Sequence, residues 1–270
     1  LASSAGLVLA GCASATEEPT TEPTETTSAT AEPEPTSGGS MVVGITVDPD
    51  TIFPWKATQF QAFRMLENVY DTLTAFDADL NVVPALAESW EVSDDGLAIT
   101  FDLRDGVKFS DGRDFDSADV KYSYEAIQDE ANAAVARSTL GGVTSIDTPD
   151  SDTVVLNLAT ADVGILANLT SVNLAIVSSD DTEETLSTAT NGTGPFVLES
   201  RTAGQNVVLA RNPNYWGDAT PLDTVEFRVL PDEAAIAAAM SAGNVQMAVF
   251  SDPSTARTVT VDVTVNTTPQ

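Results

Sequence analysis

Residues 93–127, SDDGLAITFDLRDGVKFSDGRDFDSADVKYSYEAI, carry the clearest structural pattern in the chain. Asp94, Asp95 and Gly96 form a sequence typical of a hairpin turn. After this turn, apolar residues occupy every second position, namely Leu97, Ile99, Phe101 and Leu103. Such alternation predicts a strand with one buried face.

The second half of this segment predicts a turn followed by a helix. The turn falls at 110–112, and Asp116 with Asp119 three residues later has the pattern of a capping box. The helix should run to about Ile127. Calcium binding is an alternative role for the local carboxylates, Asp111, Asp114, Asp116 and Asp119. Their spacing is not that of an EF-hand loop, and a turn plus a helix cap accounts for them.

Other segments extend the pattern in both directions. Further strands are predicted at 41–47, 153–158, 206–210, 224–230, 245–250 and 259–265. Residues 191–196, NGTGPF, predict a glycine-rich turn that enters a strand and lack the lysine of a phosphate loop. A helix is predicted at 232–242 with Gly243 as its stop. Strands and helices alternate towards the end of the chain, which indicates an α/β fold.

The segment after the first strand combines a loop with an amphipathic pattern. Residues 48–58 predict a loop in which Trp55 is exposed. A helix is predicted over 59–73, because large apolar residues recur at three and four positions, namely Phe63, Leu66, Tyr70 and Leu73, with Phe60 and Val69 beside them. Core packing is the expected role of this stripe.

Composition excludes several classes of function. The 270 residues include 11 Lys and Arg, 41 Asp and Glu, no His and one Cys, so the formal charge is −30. This charge excludes general binding of nucleic acid, which requires basic surfaces. The absence of His excludes histidine-dependent catalysis and His-ligated metals, and a single Cys excludes an internal disulfide or a cysteine-cluster zinc site. No cofactor or metal is therefore expected.

The amino-terminal segment predicts a processed and anchored end. Residues 1–11 resemble the end of a signal peptide, and the run LAGC that ends at Cys12 resembles a bacterial lipobox. That resemblance implies cleavage before Cys12 and lipidation of its sulfur. Residues 13–40 are rich in Thr, Pro and Glu and contain no large apolar residue, so they predict a disordered tether. We therefore expect anchoring at the outer face of the cytoplasmic membrane.

Three stretches together resemble a known family: 84–112 with the following helix start, 192–200 (GTGPFVLES), and 210–235 (ARNPNYWGDATPLDTVEFRVLPDEAA) with the run that follows. They are similar to the family 5 extracellular solute-binding proteins, the peptide and nickel receptors of ABC importers. The resemblance implies a two-lobed, type II periplasmic-binding-protein fold. It also implies capture of a peptide or similar solute, delivery to permease subunits, and a monomeric protein.

The same resemblance predicts a domain organisation. Residues 41–74 and 189–270 would form most of lobe one, with 75–188 as an inserted subdomain. Family members are about twice this length, so the second lobe is expected beyond Gln270.

Candidate ligand contacts follow from the resemblance and from the strand ends. They are Trp55, Lys56, Gln59 and Gln61 after the first strand, and Phe250, Ser251 and Asp252 after a later one. Packing on the inserted subdomain is the alternative for Trp55, and solvation is the alternative for Lys56. Hinge residues are expected at Gly194, Pro195 and Phe196.

Two other functions stay open at this point. A sensor or adhesion lipoprotein could use the same fold. A secreted hydrolase could use paired carboxylates, although the acidic residues fall at turns and caps and no nucleophile-elbow motif occurs. The expected activity is therefore binding rather than catalysis.

Overall fold

The computed structural model describes residues 37–261. Cys12 and nearly all of the predicted tether lie outside the described residues. The last predicted strand extends beyond them as well, since Val263 and Val265 are not described.

The described residues form a mixed α/β structure. Its strands are β1 (Ser40–Ile45), β2 (Thr74–Phe76), β3 (Val82–Pro84), β4 (Ala87–Val92), β5 (Ala98–Leu103), β6 (Val143–Asp147), β7 (Thr153–Leu158), β8 (Phe196–Thr202), β9 (Asn206–Arg211), β10 (Thr224–Val229) and β11 (Met247–Ala248). Its α-helices are α1 (Phe60–Leu66), α2 (Ser117–Gln128), α3 (Ile165–Asn168), α4 (Glu183–Thr188), α5 (Glu233–Ser241) and α6 (Pro253–Ala256). Among residues 37–261, no helix combines the length and apolar character needed to cross a bilayer.

A five-stranded sheet carries the first and last parts of the described chain. Its strand order is β11-β1-β10-β9-β8. Strand β1 pairs in parallel with both β10 and β11, whereas β9 pairs antiparallel with β10 and β8. The carboxyl ends of β1, β10 and β11 therefore meet at one edge of the sheet.

The middle of the chain forms a separate antiparallel sheet with the order β4-β5-β7-β6. Helix α2 packs on β6 and β7, and large side chains of the helix and of this sheet are fully buried, including Phe101, Tyr124, Ile127 and Leu156. Strands β2 and β3 form a third, two-stranded sheet. The division into lobe one and an inserted subdomain stays a prediction.

Several local predictions are confirmed. Gly96 has a φ of 70°, and β4 and β5 pair on either side of its turn. Asp116 caps α2, and its side chain and that of Asp119 make the reciprocal bonds of a capping box. Helix α5 begins after its cap Asp232, and Gly243 follows its end with a φ of 76°.

The helix predicted over 59–73 is shorter than expected, since α1 ends at Leu66. The carbonyl oxygen of Asn68 accepts a hydrogen bond from the nitrogen of Phe196 at 2.9 Å, and that of Val69 accepts one from Gly194 at 3.0 Å. These carbonyl groups bind the turn before β8, so they cannot continue a helical ladder. The expected apolar stripe is nevertheless largely buried.

The strand predictions near the carboxyl end are wrong in part. The strand expected over 245–250 contains only Met247 and Ala248. Helix α6 follows it, and Val259 lies outside any strand. The side chain of Asp252 accepts a hydrogen bond from the backbone nitrogen of Ser254 and so caps α6. The segment between the two predicted strands is therefore helical.

Candidate functional site

A cleft of about 330 Å³ lies at the edge where the carboxyl ends of the parallel strands meet. Its walls come from β1, α1, the start of α5 and the segment after β11. The lining residues are Val43, Gly44, Ile45, Thr46, Phe60, Gln61, Arg64, Phe227, Glu233, Val249 and Ser251. Ligands of open α/β sheets bind outside the carboxyl ends of strands, so we take this cleft as the candidate site.

Helix α1 supplies an aromatic ring and a cation to one wall. The Phe60 side chain is 59% exposed, and the Arg64 guanidinium lies one turn later, 5.6 Å from the centre of the Phe60 ring. This spacing is that of neighbours on a helix face. An exposed aromatic ring with a guanidinium over it forms a surface that can contact both apolar and anionic groups.

The opposite wall is held by hydrogen bonds to Glu233. Its Oε1 accepts from the backbone nitrogen of Ser251 at 2.8 Å and from the Ser251 hydroxyl, and its Oε2 accepts from the nitrogen of Asp252 at 3.3 Å. These bonds hold the pKa of Glu233 below its ordinary value. The carboxylate therefore stays ionised and fixes the segment after β11 to the start of α5.

The structure brings two of the predicted contacts together. Gln61 and Ser251 both line the cleft, although they lie far apart in the sequence. Phe250 instead packs against the small apolar cluster under α5, and Asp252 is engaged as the cap of α6. The roles of these residues in ligand binding stay predictions.

The prediction that Trp55 is exposed is wrong. Its side chain is 3% exposed, its Nε1 donates to the carbonyl oxygen of Ala175 at 2.9 Å, and its ring packs 5.3 Å from Phe53 and 6.4 Å from Tyr122. Ala175 and Tyr122 belong to the predicted inserted subdomain. The geometry therefore matches the packing role that was the alternative for this residue.

The other two predicted contacts near Trp55, Lys56 and Gln59, also lie outside the cleft. Lys56 forms an ion pair with Glu183 and lies over the Phe53 ring at 5.3 Å. Gln59 occupies the cap position before α1, and its buried Oε1 has no hydrogen-bond partner among residues 37–261. Neither side chain lines the cleft.

The glycine-rich turn that contains the predicted hinge residues lies close to the segment after α1. A Cβ built on Gly194 would lie 2.7 Å from the carbonyl carbon of Val69, and one built on Gly192 would lie 1.9 Å from the Val69 oxygen. Only glycine allows this approach. The turn before β8 is thus fixed to the residues after α1, while the hinge role of Gly194, Pro195 and Phe196 stays a prediction.

The acidic residues between β5 and α2 bind protein groups. Asp119 is fully buried and accepts two hydrogen bonds from the Arg113 guanidinium, at 2.6 and 2.9 Å. Asp114 pairs with Lys108, and Asp111 accepts from Asn191. These contacts fit the explanation by turn and helix cap.

Sequence reasoning missed Arg64, Glu233 and Val249 and assigned Phe60 to the core. The position of Glu233 was open to prediction, since it follows a helix cap close to a strand end. The exposure of Phe60 was not, because it depends on how far α1 lies from the sheet.

The fold is that of a type II periplasmic binding protein. The structure of the ABC transporter-associated periplasmic binding protein DppA from Helicobacter pylori, in complex with the peptide STSA, matches with a TM-score of 0.72 at 29% identity over 79% of this chain and 47% of that chain. The Bacillus subtilis oligopeptide-binding protein with a nonapeptide matches with a TM-score of 0.72 at 29% identity, over 79% of this chain and 44% of that chain.

The family model described as bacterial extracellular solute-binding proteins, family 5 Middle, matches residues 81–269, and the chain belongs to this family. Protein XP55 of Streptomyces lividans is 33% identical over 78% of this chain and 39% of its own length. The nickel-binding periplasmic protein of Escherichia coli is 30% identical over 66% and 35%. The family is one of binding proteins of ABC transporters rather than enzymes, and this chain spans well under half the length of these relatives.

Proposed function

We propose that the protein captures a peptide or a similar small solute outside the cytoplasm and delivers it to the permease of an ABC importer. The observation that carries this proposal is the cleft at the carboxyl ends of β1 and β11, in a chain of the family 5 fold. Relatives named for peptides, nickel and heme support a small solute as ligand.

The cleft has the physical character of one wall of a binding site. Phe60 and Val249 expose apolar surface, Gln61 offers an amide, and Arg64 and Glu233 bring both signs of charge. A peptide presents apolar side chains, amide groups and charged ends, so the two surfaces are complementary. In a two-lobed receptor a second lobe would cover this wall, and ligand would favour the closed state.

The amino-terminal sequence supports anchoring on the outer face of the membrane. Under this proposal Cys12 carries the lipid and residues 13–40 form the tether. A flexible chain of that length spans about 30 Å from end to end, which leaves the receptor free to reach a permease in the same membrane. The protein would act as a monomer and without a cofactor.

The test begins with the product of the complete gene, purified from its host without unfolding. Acid release followed by mass spectrometry should identify a small solute, and the stripped protein should bind it again. A strain that lacks the gene should lose uptake of that solute and regain it on complementation. A protein that carries nothing, binds no member of peptide pools and leaves uptake unchanged would contradict the proposal and favour a sensor or adhesion role.

A further inference from the structure

We propose that Arg64 binds a carboxylate group of the captured solute. This inference rests on the proposed function and adds to it the chemical group that the first wall of the cleft recognises. It is carried by the placement and the free donors of the Arg64 side chain.

Arg64 differs from most other basic residues in its partners, and it is the unpaired one that lines the cleft. All 11 Lys and Arg of the sequence lie within residues 37–261. Those in ion pairs are Lys56, Lys108, Arg113, Lys121, Arg137, Arg201, Arg211 and Arg228. Of the remaining three, Arg104 stacks on Trp216 at 4.6 Å and donates to the Ala85 carbonyl, and Arg257 lies outside the cleft.

The surroundings of Arg64 make this lack of a partner informative. Acidic residues outnumber basic ones by 41 to 11, so a partly buried arginine has many carboxylates available. Burial raises the pKa of nearby Glu67 and Arg64 lowers it in part, yet the two side chains form no ion pair. Within residues 37–261, the Arg64 guanidinium makes neither an ion pair nor a hydrogen bond.

The acidic residue in the same cleft is already satisfied. Both carboxylate oxygens of Glu233 accept hydrogen bonds from the segment Ser251–Asp252. The cleft therefore combines a negative group that is held by the protein with a positive group whose donors remain available. An anionic group of the ligand would accept hydrogen bonds from the Arg64 guanidinium.

The chemistry of the Arg64 side chain suits a carboxylate. Its guanidinium lies over the Phe60 ring at 5.6 Å, and a planar guanidinium can bind a carboxylate through two parallel hydrogen bonds. Phe60 is 59% and Val249 is 52% exposed, so apolar surface lies beside the charge. An apolar side chain next to a terminal carboxylate, as in a peptide, fits both features.

The experiment uses the complete gene product and two blocked dipeptides with an aromatic residue, one ending in a carboxylate and one in an amide. The Nε resonance of Arg64, assigned through Arg64→Lys, is followed in ¹⁵N-arginine-labelled protein. We expect a saturable shift with the carboxylate and none with the amide. Equal shifts with both, or no shift with either, would overturn the inference.

Affinities for pooled short peptides give the second readout. Arg64→Gln should weaken binding about 10- to 100-fold, since charge-assisted hydrogen bonds are worth roughly 1.5–3 kcal/mol. Arg64→Lys should lose less, and Arg137→Gln is the matched control on an exposed residue. Unchanged affinity with a lowered thermal midpoint would assign Arg64 a structural partner instead. Wild-type protein that carries no solute, binds no pool and supports no uptake contradicts the proposed function, whereas peptide binding that Arg64→Gln leaves unchanged contradicts this inference alone.

Discussion

The indole nitrogen of Trp55 donates a hydrogen bond to the carbonyl oxygen of Ala175, 120 positions later in the sequence, at 2.9 Å. The bond is buried and lies beside the contact between the 3-10 turns Pro54–Lys56 and Val172–Leu174. Asn173 adds two further bonds to this contact, from its Nδ2 to the carbonyls of Pro54 and Ala57. The loop after β1 is therefore anchored by packing.

Trp55→Ala should lower the free energy of unfolding by about 3–5 kcal/mol, the usual cost of removing a buried large aromatic side chain. Affinity for ligand, measured on the folded fraction, should stay the same. Thermal unfolding and titration on the complete gene product measure the two effects, with Trp90→Ala on the partly exposed face of β4 as the milder comparison. A preserved midpoint with lost affinity would restore the ligand-contact role of Trp55.

Gly192→Ala should destabilise the protein by about 1–3 kcal/mol or more, because its Cβ would lie 1.9 Å from the Val69 oxygen and force a backbone shift. Gly142→Ala is the matched control, since nothing lies within 4 Å of its Cβ. Chemical denaturation of the two variants makes the comparison. Equal stabilities would show that the turn before β8 is not held as described.

The partly buried Asp71 should make stability depend on pH. Its Oδ2 accepts from Thr193 at 2.8 Å and from Trp216 at 2.9 Å, and burial still raises its pKa above the ordinary value. Ionisation is therefore harder in the folded state. Stability relative to Asp71→Asn should fall as the pH rises from about 4, the unfolded pKa, and level off above the folded pKa. Denaturation curves across this range would contradict the assignment if the relative stability rose instead.

Cys12→Ala should release the protein from the membrane. The prediction rests on the lipobox-like run before the tether, which lies outside the described residues. Expression of the complete gene in a bacterial host, with radiolabelled palmitate and fractionation, measures acylation and partitioning together. Unchanged labelling and partitioning in the variant would end the lipoprotein assignment.

Local patterns in the sequence were sufficient for the hairpin at Gly96, the capping box of Asp116 and Asp119, and α5. Each depends on residues a few positions apart. The end of α1 and the burial of Trp55 were not predictable in this way, because both depend on partners more than 100 positions away.

In the candidate site, too, some residues could be predicted from the sequence and others could not. Ser251 and Gln61 could be predicted from the sequence, because the family resemblance and the predicted strand ends indicated their segments. The proposed role of Arg64 was not predictable, because it rests on the absence of an ion pair within residues 37–261, which only the structure reveals.

The most direct test of binding in the cleft compares two exposed phenylalanines. Phe60 lines the cleft and is 59% exposed, whereas Phe76 in β2 is 46% exposed and lies outside it. Titration of the complete gene product with its released solute should show that Phe60→Ala weakens binding by about 1–2 kcal/mol, as expected for an aromatic contact. Phe76→Ala should bind like wild type, and both variants should unfold near the wild-type midpoint. Equal affinities for the two variants would contradict the placement of the ligand in this cleft.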